Sequence, residues 1–179
     1  SSFVHYDLAT LSIVGFVNDI KSVSVNKNGT VFAFSSQDGE FVLFHRDICG
    51  LNIYQLGAVM AMAYGENNYN SDNVNISLDN NGFTFARGNG TICKIYEWIG
   101  IGWAQKGNDI DGDTFQISGD GNRIIINNDN TINVYDYIFN TNTWNRIVSI
   151  NSNVSIVNMT RNSSILFAVN NNIIYSYTL

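Results

Sequence analysis

Short apolar runs alternate with polar turns along the whole chain, and the pattern returns about every forty residues. In each copy, a small residue at a turn is followed fourteen or fifteen positions later by an aromatic residue. The pairs are Gly29 and Phe44, Gly82 and Tyr96, Gly121 and Tyr135, and Ser163 and Tyr177. This repeat predicts one supersecondary unit copied along the chain, each copy burying its apolar face against its neighbours.

Each copy is predicted to contain four short strands, named A to D in order. Asn-Gly and Asp-Gly dipeptides tolerate the positive φ of tight hairpins and separate these runs. The predicted A strands are residues 23–25, 74–78, 115–118 and 154–158, and the predicted B strands are 31–34, 83–86, 123–126 and 165–169. The predicted C strands are 41–44, 92–96, 132–135 and 173–177, and the predicted D strands are 53–57, 103–107 and 144–148.

The fourth copy stops before its D strand, whereas the amino terminus carries extra strand-like runs. Residues 4–6 resemble the end of a C strand and residues 11–15 resemble a D strand. A ring of four-stranded sheets is commonly closed when the first strand completes the last sheet, because closure removes unpaired edges. The chain therefore has the parts for such a closure, although the leading runs give one strand too many for a four-sheet ring.

We expect an all-β fold: a β-propeller-like array of about four four-stranded antiparallel blades. The alternatives are a closed small ring, a segment of a larger propeller, a ring that several copies of the chain close together, and a stack that is not a ring. The chain is predicted to be a single repeat domain over residues 1–179, with repeats at about 1–22 (partial), 23–57, 74–107, 115–148 and 154–179 (partial).

Composition supports this fold class and excludes some partners. Apolar residues make up 45% of the chain and are mainly β-branched or aromatic, which suits strands. The net charge is −6 and nine Lys and Arg are spread over 179 residues, which disfavours nucleic acid and anionic membrane surfaces. No apolar run approaches the roughly 20 residues of a membrane span, so no membrane insertion is expected.

Asparagine use is unusual, with 28 Asn and no Pro. This composition resembles that of proteins from AT-rich genomes, including large DNA viruses and some protists. The alternative is that Asn serves as an uncharged turn residue that tolerates positive φ. Two isolated cysteines, Cys49 and Cys93, fit a reducing compartment. A soluble chain in a virion or the cytoplasm is one expectation, and the compartment stays open.

A recurring Trp-x-Gln-x-Gly, Ser-x-Asp-Gly-Asn and Val-Tyr pattern resembles the FG-GAP-like and integrin-α-like repeats of β-propeller proteins. The residues that carry the resemblance are Trp103, Gln105, Gly107, Ser118, Asp120, Gly121, Asn122, Val134 and Tyr135. The name-giving Phe-Gly dipeptide is absent, since Phe115 precedes Gln116. The resemblance implies a propeller fold and a binding or scaffolding role.

The one metal-like cluster is Asp109, Asp111 and Asp113, where alternate carboxylates could hold a hard cation such as Ca²⁺. The alternative is a solvated acidic turn, because the other copies lack the cluster. No other cofactor is predicted.

No catalytic residue is predicted, since the chain shows no nucleophile motif, phosphate-binding glycine loop or zinc spacing. A glycosidase would need a poised pair of carboxylates, which the sequence does not reveal.

A partner site is predicted where one copy is longer than the others. The span from Gly57 to Gly82 is 25 residues, against 14 from Gly107 to Gly121. Loops inserted into one copy commonly lie on the functional face. The candidate contact residues are Tyr64, Tyr69, Asn67 and Asn68. The alternative is that residues 58–64 extend strand D or contact an adjacent blade.

The function predicted from sequence is therefore non-catalytic: a β-propeller scaffold or structural module for protein–protein interaction or self-association, such as a component of a virus particle. One alternative is a Ca²⁺-supported propeller that binds glycans or a cell-surface ligand. Another is a hydrolytic propeller enzyme.

Overall fold

The fold was derived from a computed structural model that describes residues 20–36, 39–47, 52–60, 74–128, 130–151, 156–170 and 172–179. Across these ranges every regular element is a strand, as expected from the β-branched and aromatic composition. No helix in the described ranges is long and apolar enough to cross a membrane.

The strands form four antiparallel sheets within the described ranges, each built in chain order. Sheet 1 contains β1 (Ile20–Val25), β2 (Val31–Ser36), β3 (Phe41–Arg46) and β4 (Ile53–Gln55). Sheet 2 contains β5 (Asn75–Leu78), β6 (Thr84–Gly88), β7 (Ile92–Trp98) and β8 (Trp103–Gln105), with β9 (Ile110–Asp111) paired to β7. Sheet 3 contains β10 (Thr114–Ile117), β11 (Arg123–Asn128), β12 (Thr131–Ile138) and β13 (Thr143–Asn151), and sheet 4 contains β14 (Ile156–Met159), β15 (Ile165–Asn170) and β16 (Ile173–Thr178).

The predicted strand order A to D is therefore confirmed in sheets 1, 2 and 3, and sheet 4 ends at its C strand in the described part. The structure differs from the prediction at β9, which adds a two-residue strand to sheet 2. It also differs at β13, which runs to Asn151 because it stays paired with β12 as far as Thr131. The predicted partial repeat at residues 1–22 lies almost wholly outside the described residues, and the single-domain division stays a prediction.

Apolar side chains are buried between successive sheets. Strand side chains alternate between faces, so each sheet offers one face to each neighbour. Sheets 1 and 2 enclose Val31, Ala33, Phe41, Leu43, Ile76, Leu78 and Phe85. Sheets 2 and 3 enclose Ala86, Cys93, Ile95, Phe115, Ile117, Ile124, Ile126 and Trp144, and sheets 3 and 4 enclose Ile125, Ile132, Val134, Val157, Met159, Leu166 and Ala168. No sheet buries its apolar surface alone, which explains why the pattern is copied.

Tryptophan side chains fasten each outer strand to the preceding sheet. The indole Nε1–H of Trp103 donates to the Leu56 carbonyl of sheet 1 at 3.0 Å. In the next sheet, Trp144 Nε1–H donates to the Lys106 carbonyl of sheet 2 at 2.7 Å. Because Leu56 and Lys106 hold equivalent positions, the two contacts are copies of one junction.

The Trp-x-Gln-x-Gly pattern follows from the same junction. A Cβ on Gly107, which has φ +78°, would lie 2.5 Å from Trp144 Cδ1, so the close indole excludes any side chain there. The side-chain amides of Gln55 and Gln105 donate to the carbonyls of Gly57 and Gly107 at 3.0 and 3.2 Å. The motif is thus a structural clamp between sheets.

Candidate binding faces

Turns between the first and second strands of all four sheets lie at one end of the array. They span residues 26–30, 79–83, 118–122 and 160–164, and we call this end the turn face. The hairpins between second and third strands and the connections between sheets lie at the opposite end, since neighbouring strands are antiparallel. We call that end the hairpin face.

A short polar side chain closes every turn of the turn face. Asn26 Oδ1 accepts from the Val31 N–H at 2.9 Å, and Asp79 Oδ1 accepts from the Gly82 N–H at 2.6 Å. The hydroxyls of Ser118 and Thr160 accept from the N–H five residues later, at 2.9 and 3.0 Å. Four different side chains thus do the same work of holding one turn.

Backbone hydrogen bonds join the four turns in series. The Lys27 N–H donates to the Asn80 carbonyl at 3.3 Å, the Asn80 N–H donates to the Gly119 carbonyl at 2.9 Å, and the Gly119 N–H donates to the Arg161 carbonyl at 2.7 Å. Each of these residues is the second of its turn. We call this series the turn ladder, and it fixes how successive sheets are placed.

A second series joins the first strands of the sheets. The Leu78 N–H donates to Ser24 Oγ at 3.0 Å, and the Ile117 N–H donates to Ser77 Oγ at 3.2 Å. The Met159 N–H donates to Gln116 Oε1 in the same way. Edge N–H groups of β5, β10 and β14 are therefore satisfied by side chains of the preceding sheet.

Lys106 carries a buried charge to the turn face. Its side chain is 3% exposed, and its ammonium donates to the Gly121 carbonyl and to Asn122 Oδ1, both at 3.0 Å. Burial lowers the pKa of Lys106, and the carboxylate of Glu97, at 3.7 Å, opposes that shift. Through these hydrogen bonds the Lys106 ammonium links sheet 2 to the turn at residues 118–122 of sheet 3.

Burial also raises the pKa of Asp79, although backbone N–H groups and Lys106 partly offset the shift. The buried Asp79 carboxylate and the buried Lys106 ammonium thus both have a structural role, because each forms hydrogen bonds with backbone groups of a turn.

The hairpin face has a different character. Within the described residues it concentrates buried polar atoms that have no hydrogen-bond partner in the chain: Ser35 Oγ, Glu40 Oε2, Arg87 Nε and Nη1, Asn89 Nδ2, Thr114 Oγ1 and Asn133 Oδ1. On the turn face the corresponding atoms are Arg46 Nε and Asn80 Oδ1. Unpaired buried polar groups cost free energy unless water or a ligand satisfies them. Such atoms at one end of a repeat array are therefore candidates for ligand contact.

Arg87 is the charged member of this set. Its guanidinium lies 4.3 Å from the Phe41 ring centroid, and Nη2 donates to the Tyr96 hydroxyl at 2.9 Å. The aromatic contacts fix the plane of the guanidinium. Its Nε and Nη1 stay without a protein acceptor, so the group is held in place with donors to spare.

The predicted partner-binding residues Tyr64, Tyr69, Asn67 and Asn68 lie outside the described residues. The last described residue before them, Met60, pairs with Phe41, with N to O distances of 2.9 and 3.0 Å. The inserted segment therefore starts from the hairpin face, beside the ring that Arg87 covers.

The three carboxylates predicted to bind Ca²⁺ do not converge on one point. Asp109 accepts from Gln105 Nε2 at 2.7 Å and lies 3.5 Å from Lys94 Nζ. Asp111 belongs to β9, and Asp113 accepts from the Thr114 N–H at 2.7 Å. Within the described ranges, no three His, Cys, Asp or Glu side chains gather as a metal-ligand group. The geometry gives no support to a cation here, and the site stays a prediction.

Sequence reasoning missed the polar side chains of both faces. The turn-closing residues had a readable signal, since Asn26, Asp79, Ser118 and Thr160 each stand three positions before a turn residue with positive φ. Asn133 also had one, as a polar residue between buried Ile132 and Val134. The absence of hydrogen-bond partners for the buried polar atoms of the hairpin face had no sequence signal, because it depends on contacts between strands.

Comparison with known proteins identifies the fold. A protein provisionally named 6-phosphogluconolactonase from Bacteroides uniformis is similar with a TM-score of 0.64 at 13% identity, over 89% of this chain and 50% of that chain. A second protein of that provisional name, from Bacteroides fragilis, gives 0.61 at 12% identity over 89% and 50%. A protein of unknown function from Desulfotomaculum acetoxidans gives 0.61 at 11% identity over 89% and 51%.

At these identities the likeness shows the fold alone. The chain spans about half the length of the three structures. The sequence matches no protein-family profile and no curated protein. None of the three structures carries an FG-GAP or integrin name, so that resemblance stays a prediction.

Proposed function

We propose that the chain is a non-catalytic β-propeller-type scaffold module that binds a protein partner through its hairpin face. The observation that carries this proposal is the contrast between the faces: the turns bond to one another, whereas the hairpin face holds buried polar atoms that the chain does not partner. A protein partner supplies both donors and acceptors, as this mixed set of groups needs.

A propeller arrangement is supported by the order of the inner strands. The first strand of each sheet lies beside the first strand of the next, through Ser24 and Leu78, Ser77 and Ile117, and Gln116 and Met159. Sheets that repeat one junction with the same polarity progress about a common axis. Loops at one end of such an array form a continuous surface, which suits partner binding.

The hydrolase name of two structural neighbours is not carried over. A phosphorylated sugar lactone needs cationic groups to hold its phosphate. On the turn face, Lys106 is engaged by Gly121 and Asn122, Arg123 by Asp136 at 2.6 Å, and Arg161 donates to the Leu78 carbonyl at 2.6 Å. On the hairpin face Arg87 keeps two donors free, so the hydrolysis assay below decides whether this one cation serves a phosphate. Cys93 is fully buried, and burial raises its pKa well above the ordinary value, which disfavours the thiolate that a nucleophile needs.

The test combines partner capture with an activity assay. The double variant Tyr64→Ala with Tyr69→Ala removes the aromatic groups predicted to contact the partner, while Tyr54→Ala removes an exposed tyrosine of β4 as a matched control. We expect the double variant to reduce the amount of partner captured from a lysate by roughly tenfold or more, and the control to leave it unchanged. Equal capture by all three proteins would overturn the assigned face.

Hydrolysis of 6-phosphogluconolactone by the purified chain is measured in parallel. We expect no rate above the uncatalysed reaction. Turnover that scales with protein concentration and survives repurification would refute the non-catalytic assignment. A rise in melting temperature with Ca²⁺ would instead favour the calcium-supported ligand-binding alternative.

A further inference from the structure

One position of the repeat carries a charge in sheet 2 and an apolar side chain in the other sheets. The position lies five residues after the turn residue with positive φ, and sheets 1 to 4 place Phe34, Arg87, Ile126 and Ala168 there. Ile126 and Ala168 are fully buried, and Arg87 is 7% exposed. The repeat thus uses this position for packing between sheets, and an arginine there needs a separate explanation.

Packing contacts hold the Arg87 guanidinium without neutralising its charge. Its Cζ atom lies 4.3 Å from the Phe41 ring centroid and 5.2 Å from that of Tyr96. Within the described ranges no carboxylate forms an ion pair with Arg87, and its Nε and Nη1 have no acceptor. A buried charge with unpaired donors opposes folding, so this arrangement is expected where a ligand supplies the missing anion.

A second cation stands beside Arg87. Register places Lys94 of β7 directly opposite Arg87 of β6, although like charges in this arrangement repel. The Lys94 ammonium lies 3.5 Å from the Asp109 carboxylate. Exposure rises along this row, from 7% at Arg87 to 19% and 44% for the side chains of Lys94 and Asp109. The row therefore leads from the buried guanidinium toward solvent beside β9.

We propose that Arg87 binds a carboxylate of the protein partner, an Asp or Glu side chain that approaches past Lys94. This inference rests on the proposed function and names the chemical group that the hairpin face recognises. Arg87 carries one charge without a counterpart, which one carboxylate balances, whereas Lys94 already has Asp109. The attraction of Lys94 for anions assists the approach.

The donors that remain on the guanidinium suit a carboxylate. Nη2 gives one N–H to the Tyr96 hydroxyl and keeps the other, so one edge of the group retains a full pair of donors with Nε or Nη1. A planar carboxylate accepts such a pair through two parallel hydrogen bonds. The adjoining rings of Phe41 and Tyr96 also suit the methylene groups of an acidic side chain, which inorganic phosphate lacks.

Titration of the full chain with blocked amino acids tests the site directly. The probes are N-acetyl-glutamate amide, its neutral analogue N-acetyl-glutamine amide, and inorganic phosphate, all at matched ionic strength. The readouts are the NMR signals of the Arg87 Nε–H and of the Lys94 backbone N–H. We expect a saturable shift with the glutamate probe and a dissociation constant roughly tenfold or more higher for the glutamine probe. Equal shifts with both, no shift with either, or tighter binding of phosphate would overturn a carboxylate site.

Two variants separate the fork of the guanidinium from its charge. Arg87→Lys keeps the charge without the fork and is expected to weaken binding of the glutamate probe roughly tenfold. Arg87→Ile copies Ile126, and we expect it to abolish binding while the urea midpoint of unfolding stays equal or rises. Arg146→Ile removes the same charge from an exposed position of β13 and should leave binding unchanged.

A folded Arg87→Ile chain that binds the glutamate probe like the parent would overturn the site. A lower urea midpoint together with unchanged binding would assign Arg87 to packing alone. If Arg87→Ile does not fold, the parent titration and Arg87→Lys decide, and equal binding by these two proteins would overturn the fork.

Partner capture separates failure of this inference from failure of the proposed function. If Tyr64→Ala with Tyr69→Ala reduces capture and Arg87→Ile does not, the hairpin face stands and the carboxylate site is overturned. Capture reduced by both supports both. Capture that neither changes refutes the proposed function, and the glutamate titration then still decides whether Arg87 binds a carboxylate.

Discussion

The two faces of the array are built from the same repeat, yet they treat polar groups in opposite ways. On the turn face, the side chain at the equivalent position accepts a backbone N–H of its own turn or following strand in every sheet, even where the residue changes from Asn to Asp, Ser or Thr. On the hairpin face, Ser35, Arg87 and Asn133 stand at three different positions of the repeat and leave atoms unpaired. Repeated contacts therefore maintain the architecture, and the unpaired polar atoms of the hairpin face form no part of them.

The largest expected loss of stability comes from replacing a glycine in a turn of the turn face. Gly82→Ala places a methyl group 2.5 Å from Val31 at φ +78°, so both overpacking and backbone strain oppose folding. We expect a loss of about 3 kcal/mol in the free energy of unfolding, measured with urea. Gly29→Ala, at φ +71° with open space around it, should cost about 1 kcal/mol. Equal losses would show that the sheet junction contributes nothing.

A serine on each face gives a matched comparison. Ser118 Oγ accepts the Arg123 N–H, whereas Ser35 Oγ is buried without a partner. Ser118→Ala should lower the free energy of unfolding by about 1 to 2 kcal/mol. Ser35→Ala removes an unpaired hydroxyl and should leave stability equal or raise it by about 0.5 kcal/mol. Destabilisation by both to the same extent would contradict the contrast between the faces.

The smallest expected effect is a change with pH in the free energy of unfolding, caused by Asp79 on the turn face. Because burial raises the folded-state pKa of Asp79 above its ordinary 3.8, the folded protein binds this proton more tightly than the unfolded chain. The stability from this group is present below pH 3.8 and is lost as pH rises through the raised pKa. Asp79→Asn, which copies Asn26, should match the parent in acid and exceed its free energy of unfolding at pH 7.

Asp79→Ala serves as the control, since it loses the bonds to the Gly82 and Phe83 N–H groups and should be less stable at every pH. Urea titrations of the three proteins from acid to neutral pH measure the difference. A pH-independent gap between parent and Asp79→Asn would refute the assignment of the shift to this carboxyl.

Local chemistry explains what the sequence predicted well. Turn residues with positive φ mark the ends of strands, and this held even at Ser163, where φ is +55° without a glycine. The same reasoning missed β9, because Ile110–Asp111 is too short to show a period and is paired through Ile92 and Cys93 of β7. The turn ladder also carries no sequence signal, since backbone groups of any residue can form it.

The proposed binding face has a sequence signal for its location, which stays a prediction, and none for its unpaired polar atoms. The extra residues between Gly57 and Gly82 indicated the hairpin face, because an insertion stands out against a regular repeat. The unpaired donors of Arg87 could not be foreseen, as they depend on its stacking over Phe41 from another sheet.

The indole contacts with Leu56 and Lys106 also constrain how such a chain can change its length during evolution. Each tryptophan contacts a carbonyl and a glycine of the copy before it. Losing part of a copy would therefore leave a tryptophan without its carbonyl and glycine, or leave these without the tryptophan. Gains and losses of whole copies, counted from one tryptophan to the next, keep every clamp intact. Recombination between repeats is thereby confined to steps of one full sheet.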